Sequence, residues 1–171
     1  DPQQVYAFDV AVQPQGYTTE RRNALQQQLL RNLRARSEVS AVAITSLPPF
    51  AGSSSAVDVR GAMQPEGQEA RVDAEWISDG YVSALRIPLV RGDPAAVERL
   101  LSGNADADGV LLNEAAARLM FGNLDIIGRI FDERGFGGAQ VRRVVGVVGD
   151  TRVERLREPA SPVVYRPIAD A

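Results

Sequence analysis

Cysteine, histidine and lysine are all absent from this 171-residue chain, whose 19 basic residues are every one arginine. Without cysteine or histidine there is no thiolate nucleophile, no ordinary zinc site, no imidazole base and no Ser-His-Asp triad. An enzyme built on this sequence would have to work with carboxylates, tyrosine, serine and arginine. The lack of cysteine fits any compartment. An excess of positive charge is missing too: 19 basic residues face 22 acidic ones, for a net charge of -3 and a pI near 5.1. Nucleic acid is therefore not an expected partner, and the exclusive use of arginine, scattered along the chain, reads as compositional bias of the source genome. Aromatics make up only 6% of residues, so the core must be built from Val, Leu, Ile and Ala. No window approaches the roughly 18 apolar residues of a membrane span, and the opening DPQQVYAFDV is not a signal peptide. The chain begins without Met, so it is expected to be excised from something longer.

What is present is a globular α/β pattern. Val5 to Val12 alternates with period two, which predicts a first strand ending at the turn Gln13 to Gly16. Thr18 or Thr19 can cap a helix from about Thr19 to Arg36, in which Leu25, Leu29 and Leu33 face a sheet and Gln27, Arg31 and Arg34 face water. Val39 to Thr45 then reads as a buried strand, completing a β-α-β unit with a right-handed crossover. After the loop Ser46 to Ser55, strands at Val57 to Arg60 and Ala70 to Ile77 flank the polar connection Gly61 to Glu69. Ser78-Asp79-Gly80-Tyr81 starts a short helix through Leu85, and Ile87 to Gly92 leaves it as a short extended piece. Asp93 and Pro94 then open a helix to Leu101. Val110 to Leu112 is a strand, Asn113 caps a helix from Glu114 to Phe121 with Ala115, Ala116, Leu119 and Met120 on its apolar face, and Gly122 closes it. Ile130 to Glu133, Val141 to Val148 and Val163 to Tyr165 are the remaining strands.

Four constellations could carry chemistry. Gly135 to Gly138 is Gly-rich, but it runs into a strand rather than a helix N-terminus, so it reads as a hairpin turn and not a phosphate cradle. Asn104, Asp106, Asp108 and Gly109 have the first spacings of a calcium loop, yet its closing position falls on Ala115 with Glu114 one place early, which favours a polar surface loop over residues 104–109. Asp73 and Glu75 share one strand face and are expected to be solvated rather than an acid-base pair. Trp76 and Tyr81 are expected to pair in the core or at a subdomain seam. No catalytic, cofactor-binding or metal-ligating residue is assigned.

A family resemblance is carried by Val110 to Asp150, where VLLNEAAARLMFG, DIIGR and VVGVVGD stand in order. The stretch resembles the MacB-like periplasmic core domain of ABC transporter permeases, of the MacB/FtsX type. Val39 to Pro48 (VSAVAITSLP), Ile77 to Gly92 (ISDGYVSALRIPLVRG) and Leu156 to Ile168 (LREPASPVVYRPI) are similar to further segments of that family, and the wording is closest to the subgroup with duplicated permease halves. Ile126, Val82, Arg86 and Asp93-Pro94 depart from the family pattern at turn and packing positions.

The resemblance implies a porter-like β-α-β subdomain made from both chain ends, residues 1–60 and 139–171, with a small α/β subdomain, residues 61–138, inserted between them. It implies a non-enzymatic domain on the periplasmic side of the bacterial inner membrane. There it would couple ATP-driven motion of transmembrane helices to efflux or hand-over of a substrate, with both chain ends on one side of the domain. The implied partners are a cytoplasmic ATP-binding subunit, a second permease half or subunit, a periplasmic adaptor and the inner membrane, with no cofactor. A soluble carboxylate-dependent enzyme and a periplasmic ligand-sensing or adaptor module are the alternatives.

Overall fold

The computed structural model describes residues 5–10, 18–47, 55–103, 108–135, 138–151 and 159–168. Helix α1 (Thr19–Arg34) begins where Thr18 Oγ1 accepts the Arg21 amide at 3.3 Å, with Glu20 in the first turn and Arg31 and Arg34 in the last; these charges suit the helix dipole. Strands β1 (Ser55–Arg60) and β2 (Ala70–Ile77) form an antiparallel hairpin. Next come α2 (Tyr81–Ala84), β3 (Leu89–Gly92) and α3 (Pro94–Leu101), the last capped by Asp93 with Pro at its first position. Strand β4 (Gly109–Asn113) runs directly into α4 (Glu114–Phe121), which ends at Gly122 in the left-handed region with φ 73°, a conformation that favours glycine. Strands β5 (Ile130–Gly135), β6 (Gly138–Val148) and β7 (Val163–Pro167) complete the chain.

The seven strands form one mixed sheet in the order β3-β6-β4-β7-β2-β1-β5, and β5 also pairs with β6. Six of the seven therefore close into a ring. The eleven-residue β6 makes this possible. Its first half, from Gly138 to Arg143, pairs antiparallel with β5, and its second half, from Arg143 to Val148, pairs parallel with β4 on the opposite edge. β3 takes over the edge that β5 leaves, from Gly146 to Val148. Strands drawn from 61–138 and strands from its flanks thus alternate around one sheet.

Alternation along the strands divides the apolar residues into two layers. Val57, Val59, Val72, Ala74, Val110, Leu112, Phe131, Val144 and Val164 point into the ring, where Ala116, Ala117 and Met120 of α4 close its lower end. The outer layer joins Ile77, Leu111, Val148 and Tyr165 to α2 and α3 through Tyr81, Val97, Leu100 and Leu101. β4 is buried on both faces, which explains its unbroken Val-Leu-Leu run.

The α/β class is as the sequence implies, with three local corrections. Residues 5–10 lie outside any strand, and Val5, Tyr6, Phe8 and Val10 are exposed. Closure of the ring is the physical reason, since β1, β2, β4, β5 and β7 each already have a strand on both sides and keep only short unpaired stretches of edge. Val39 to Thr45 is likewise no strand: only Thr45 pairs, antiparallel with Ile77, where β2 runs past the start of β1. The expected β-α-β crossover does not form. On α4 the buried face is Ala116, Ala117, Met120 and Phe121, and Leu119 is exposed.

Arg86, between α2 and β3, has φ 54° and is, among the described residues, the one non-glycine held in the left-handed region. An L side chain there costs roughly 1–2 kcal/mol, more than glycine loses by its freer unfolded chain. Arg86→Gly is expected to stabilise the protein by about 0.5–1 kcal/mol, read as a higher urea midpoint at unchanged slope.

Candidate functional site

Two polar centres lie at opposite ends of the ring. The lower one is the α4 N-terminus, where the residues that carry the family wording meet. Asn113 is fully buried; its Oδ1 accepts the amides of Ala116 and Val163, both at 2.9 Å, and its Nδ2 donates to Ser161 O at 2.7 Å. Asp150 Oδ1 accepts the next free helix amide, that of Ala115, at 2.8 Å, while Glu114 pairs with Arg118 one turn on. A helix N-terminus attracts anions because its amides lack partners. Here Asn113 and Asp150 fill those positions, so the arrangement joins β4, α4 and β7 instead of receiving a ligand.

The upper centre was not legible as a site. Glu133 is 3% exposed and stands between two arginines. Arg142 Nε donates to Oε1 at 3.0 Å; Arg166 Nε donates to Oε2 at 3.2 Å, and Arg166 Nη2 is in ion-pair contact with the same oxygen at 2.6 Å. The Arg166 guanidinium also lies over the Trp76 ring, 4.7 Å from its centroid, in a cation–π contact. Arg142 further reaches Gln140. Glu133, Arg142 and Arg166 each stand two residues from an inward-facing apolar neighbour, Phe131, Val144 and Val164. Charged residues at core parity were the available signal. Both carboxylate oxygens carry a guanidinium, which suits a packed ionic plug rather than an acid-base group.

Glu75, on the outward face of β2, accepts Tyr81 OH at 2.9 Å and Thr45 Oγ1 at 2.5 Å on the same oxygen. Burial, and then the charge of Glu75, push the Tyr81 phenol far above its ordinary range. Tyr165 is raised as well, chiefly by burial, with the Thr151 hydroxyl at 3.4 Å opposing the shift and Glu75, Asp150 and Asp73 adding to it. Both phenols therefore stay protonated in the fold after unfolded-chain tyrosines, near pH 10, have ionised. Their stabilisation is complete below that pH and is lost as pH rises above it, by up to about 1.4 kcal/mol per pH unit for each tyrosine. Stability curves are expected to fall steeply above about pH 10, and Tyr81→Phe is expected to flatten the fall.

The other expected features separate. Gly135 pairs with Gly138 across β5 and β6 as a hairpin; residues 136–137 lie outside the described residues. Of the 104–109 loop, residues 104–107 lie outside them too. The Asp108 carboxylate meets Arg143 Nε at 3.6 Å and its carbonyl accepts the Arg143 amide at 2.9 Å. Of the α1 basic face, Arg34 pairs with Asp79 at 2.9 Å. Trp76 and Tyr81 do not pair: Trp76 meets Arg166, and the Tyr81 and Tyr165 ring centroids stand 6.0 Å apart. Serines 53–54 and residues 11–17, including the predicted turn, are outside the described residues, as are both chain ends. Among the described residues no group of three or more carboxylates could hold a metal ion, and no helix is long and apolar enough to cross a membrane.

No family model and no curated protein matches this chain. Solved structures do. The extracellular domain of the noncanonic ABC-type transporter YknZ from Gram-positive bacteria matches with TM-score 0.54 at 17% identity, over 84% of this chain and 62% of that one. The periplasmic region of MacB from Actinobacillus actinomycetemcomitans matches with TM-score 0.47 at 17% identity, over 82% and 55%. The first likeness shows a shared fold. The chain spans less than two thirds of either structure.

Proposed function

We propose that this chain is an extracytoplasmic, periplasmic-side domain of a MacB-type ABC transporter permease and that it couples ATP-driven motion of transmembrane helices to efflux or hand-over of a substrate outside the inner membrane. The observation that carries the reading is the fold shared with the YknZ extracellular domain, in a chain whose ordered segments from Val39 to Ile168 resemble the same family. The polar centres support a non-enzymatic role. Asn113 and Asp150 fix α4, Glu133 holds two arginines, and Glu75 holds Thr45 and Tyr81. Each is engaged by its own fold. A domain of this kind transmits motion and contacts partners: a cytoplasmic ATP-binding subunit through membrane helices, a second permease half, and a periplasmic adaptor. The division into 61–138 and its flanks, 1–60 with 139–171, belongs to this proposal. Separate hydrogen-exchange protection of the two parts would support it, and uniform protection around the ring would remove it.

Affinity purification of the full-length protein tests the reading. A permease is expected to come from the membrane fraction with an ATP-binding subunit and ATPase activity. Recovery from the soluble fraction, with no ATPase, would favour the enzyme or adaptor alternatives.

A further inference from the structure

We propose that residues 18–47 form a detachable strap, held on the ring by a polar clasp, that undocks as a unit while the ring stays folded. The proposal rests on the placement of this segment and stands independently of the transport reading.

Burial separates the strap from the rest of the molecule. Of the described side chains between 18 and 47, Leu30 alone is buried, and it belongs to neither apolar layer. Leu25, Leu29 and Leu33 are half-buried, and Ala43 touches only the fringe of the outer layer. The ring and its helices, in contrast, hold two continuous apolar clusters. Stability is not uniform across a fold, and segments with few buried apolar contacts open at lower free energy than core strands.

The attachment is a short run of hydrogen bonds at the upper end of β2. The Ser78 hydroxyl, 2% exposed, accepts the Ile44 amide at 2.9 Å, and the Ser78 amide donates to Ile44 O at 2.9 Å. Ser46 and Trp76 are joined in the same reciprocal way, Ser46 N to Trp76 O at 2.9 Å and Trp76 N to Ser46 Oγ at 3.0 Å. Thr45 reaches Glu75, and the Arg34 guanidinium grips both the carboxylate and the carbonyl of Asp79. Gly80, at φ 85°, lets the Val42 carbonyl approach to where any Cβ would be 2.6 Å from it. Hydrogen bonds of this kind give modest net stabilisation because water replaces them on opening. They are directional, so they break together when the strap lifts.

Native-state hydrogen exchange on the chain tests this. The amides of α1 and of Ile44 are expected to exchange at least tenfold faster than those of β4 and β6. Ser78→Ala is expected to speed α1 exchange by about tenfold further, leaving β4 and β6 unchanged. Arg34→Ala, at the exposed end of the clasp, should act in the same direction without touching the buried ring. Exchange of α1 and β4 at one common rate, in the wild type and in both variants, would overturn the proposal.

Discussion

Glu133→Ala is expected to lower the unfolding free energy by about 3–5 kcal/mol, because it strands two nearly buried guanidiniums without their carboxylate. The Arg142 and Arg166 side chains are each 9% exposed, so water can recover little of the lost interaction. The loss measures the cost of leaving buried charge unpaired, not the net worth of the triad. Replacing all three members with apolar residues of similar volume is therefore expected to recover most of it. Urea unfolding of the single and triple variants separates the two terms. A triple variant as unstable as Glu133→Ala would mean that the triad itself, including the Arg166 stack on Trp76, holds the upper end of the ring.

Asn113→Ala carries the second large effect, about 2–4 kcal/mol. Loss of a helix cap costs roughly 0.5–2 kcal/mol. Alanine would also leave the Val163 amide and the Ser161 carbonyl without the partner each now has in Asn113, and an unmet buried polar group costs about 1–3 kcal/mol. Asn113→Ser is expected to recover less than half of the loss. Its short hydroxyl can reach the Ala116 amide one turn ahead but not the 161–163 segment. Full rescue by serine would show that only the cap matters and that the link to β7 is incidental.

The contrast between these residues shows what the sequence makes legible. Asn113 could be read because its cap is local: the helix it starts follows at once, and Gly122 ends that helix eight residues later. Asp93-Pro94 was readable for the same reason, and the cap of α1 was narrowed to Thr18 or Thr19, of which Thr18 serves. The strands Val57 to Arg60 and Ala70 to Ile77 followed from patterning on either side of a polar connection, although their antiparallel pairing did not. What could not be read was pairing across the chain. The alternation of Val5 to Val10 is the pattern of a strand, but pattern does not supply a partner strand, and the β1–β5, β2–β7 and β4–β6 pairings that close the ring join residues distant in sequence. The Glu133 triad failed to declare itself for a related reason. Its members come from β5, β6 and β7, and each alone looks like an ordinary surface charge. The family wording at Asn113 and Asp150 was conspicuous, and it marks the lower scaffold around α4.

The chain's lack of cysteine makes its location directly measurable. Met63 is 59% exposed at the ring's lower end, so Met63→Cys in the full-length protein would present a single reporter thiol from this domain. In spheroplasts with an intact cytoplasmic membrane, an extracytoplasmic permease domain predicts labelling by a membrane-impermeant maleimide as complete as that seen after lysis. Labelling that appears only once the membrane is broken would place the domain inside the cell and contradict the transport reading.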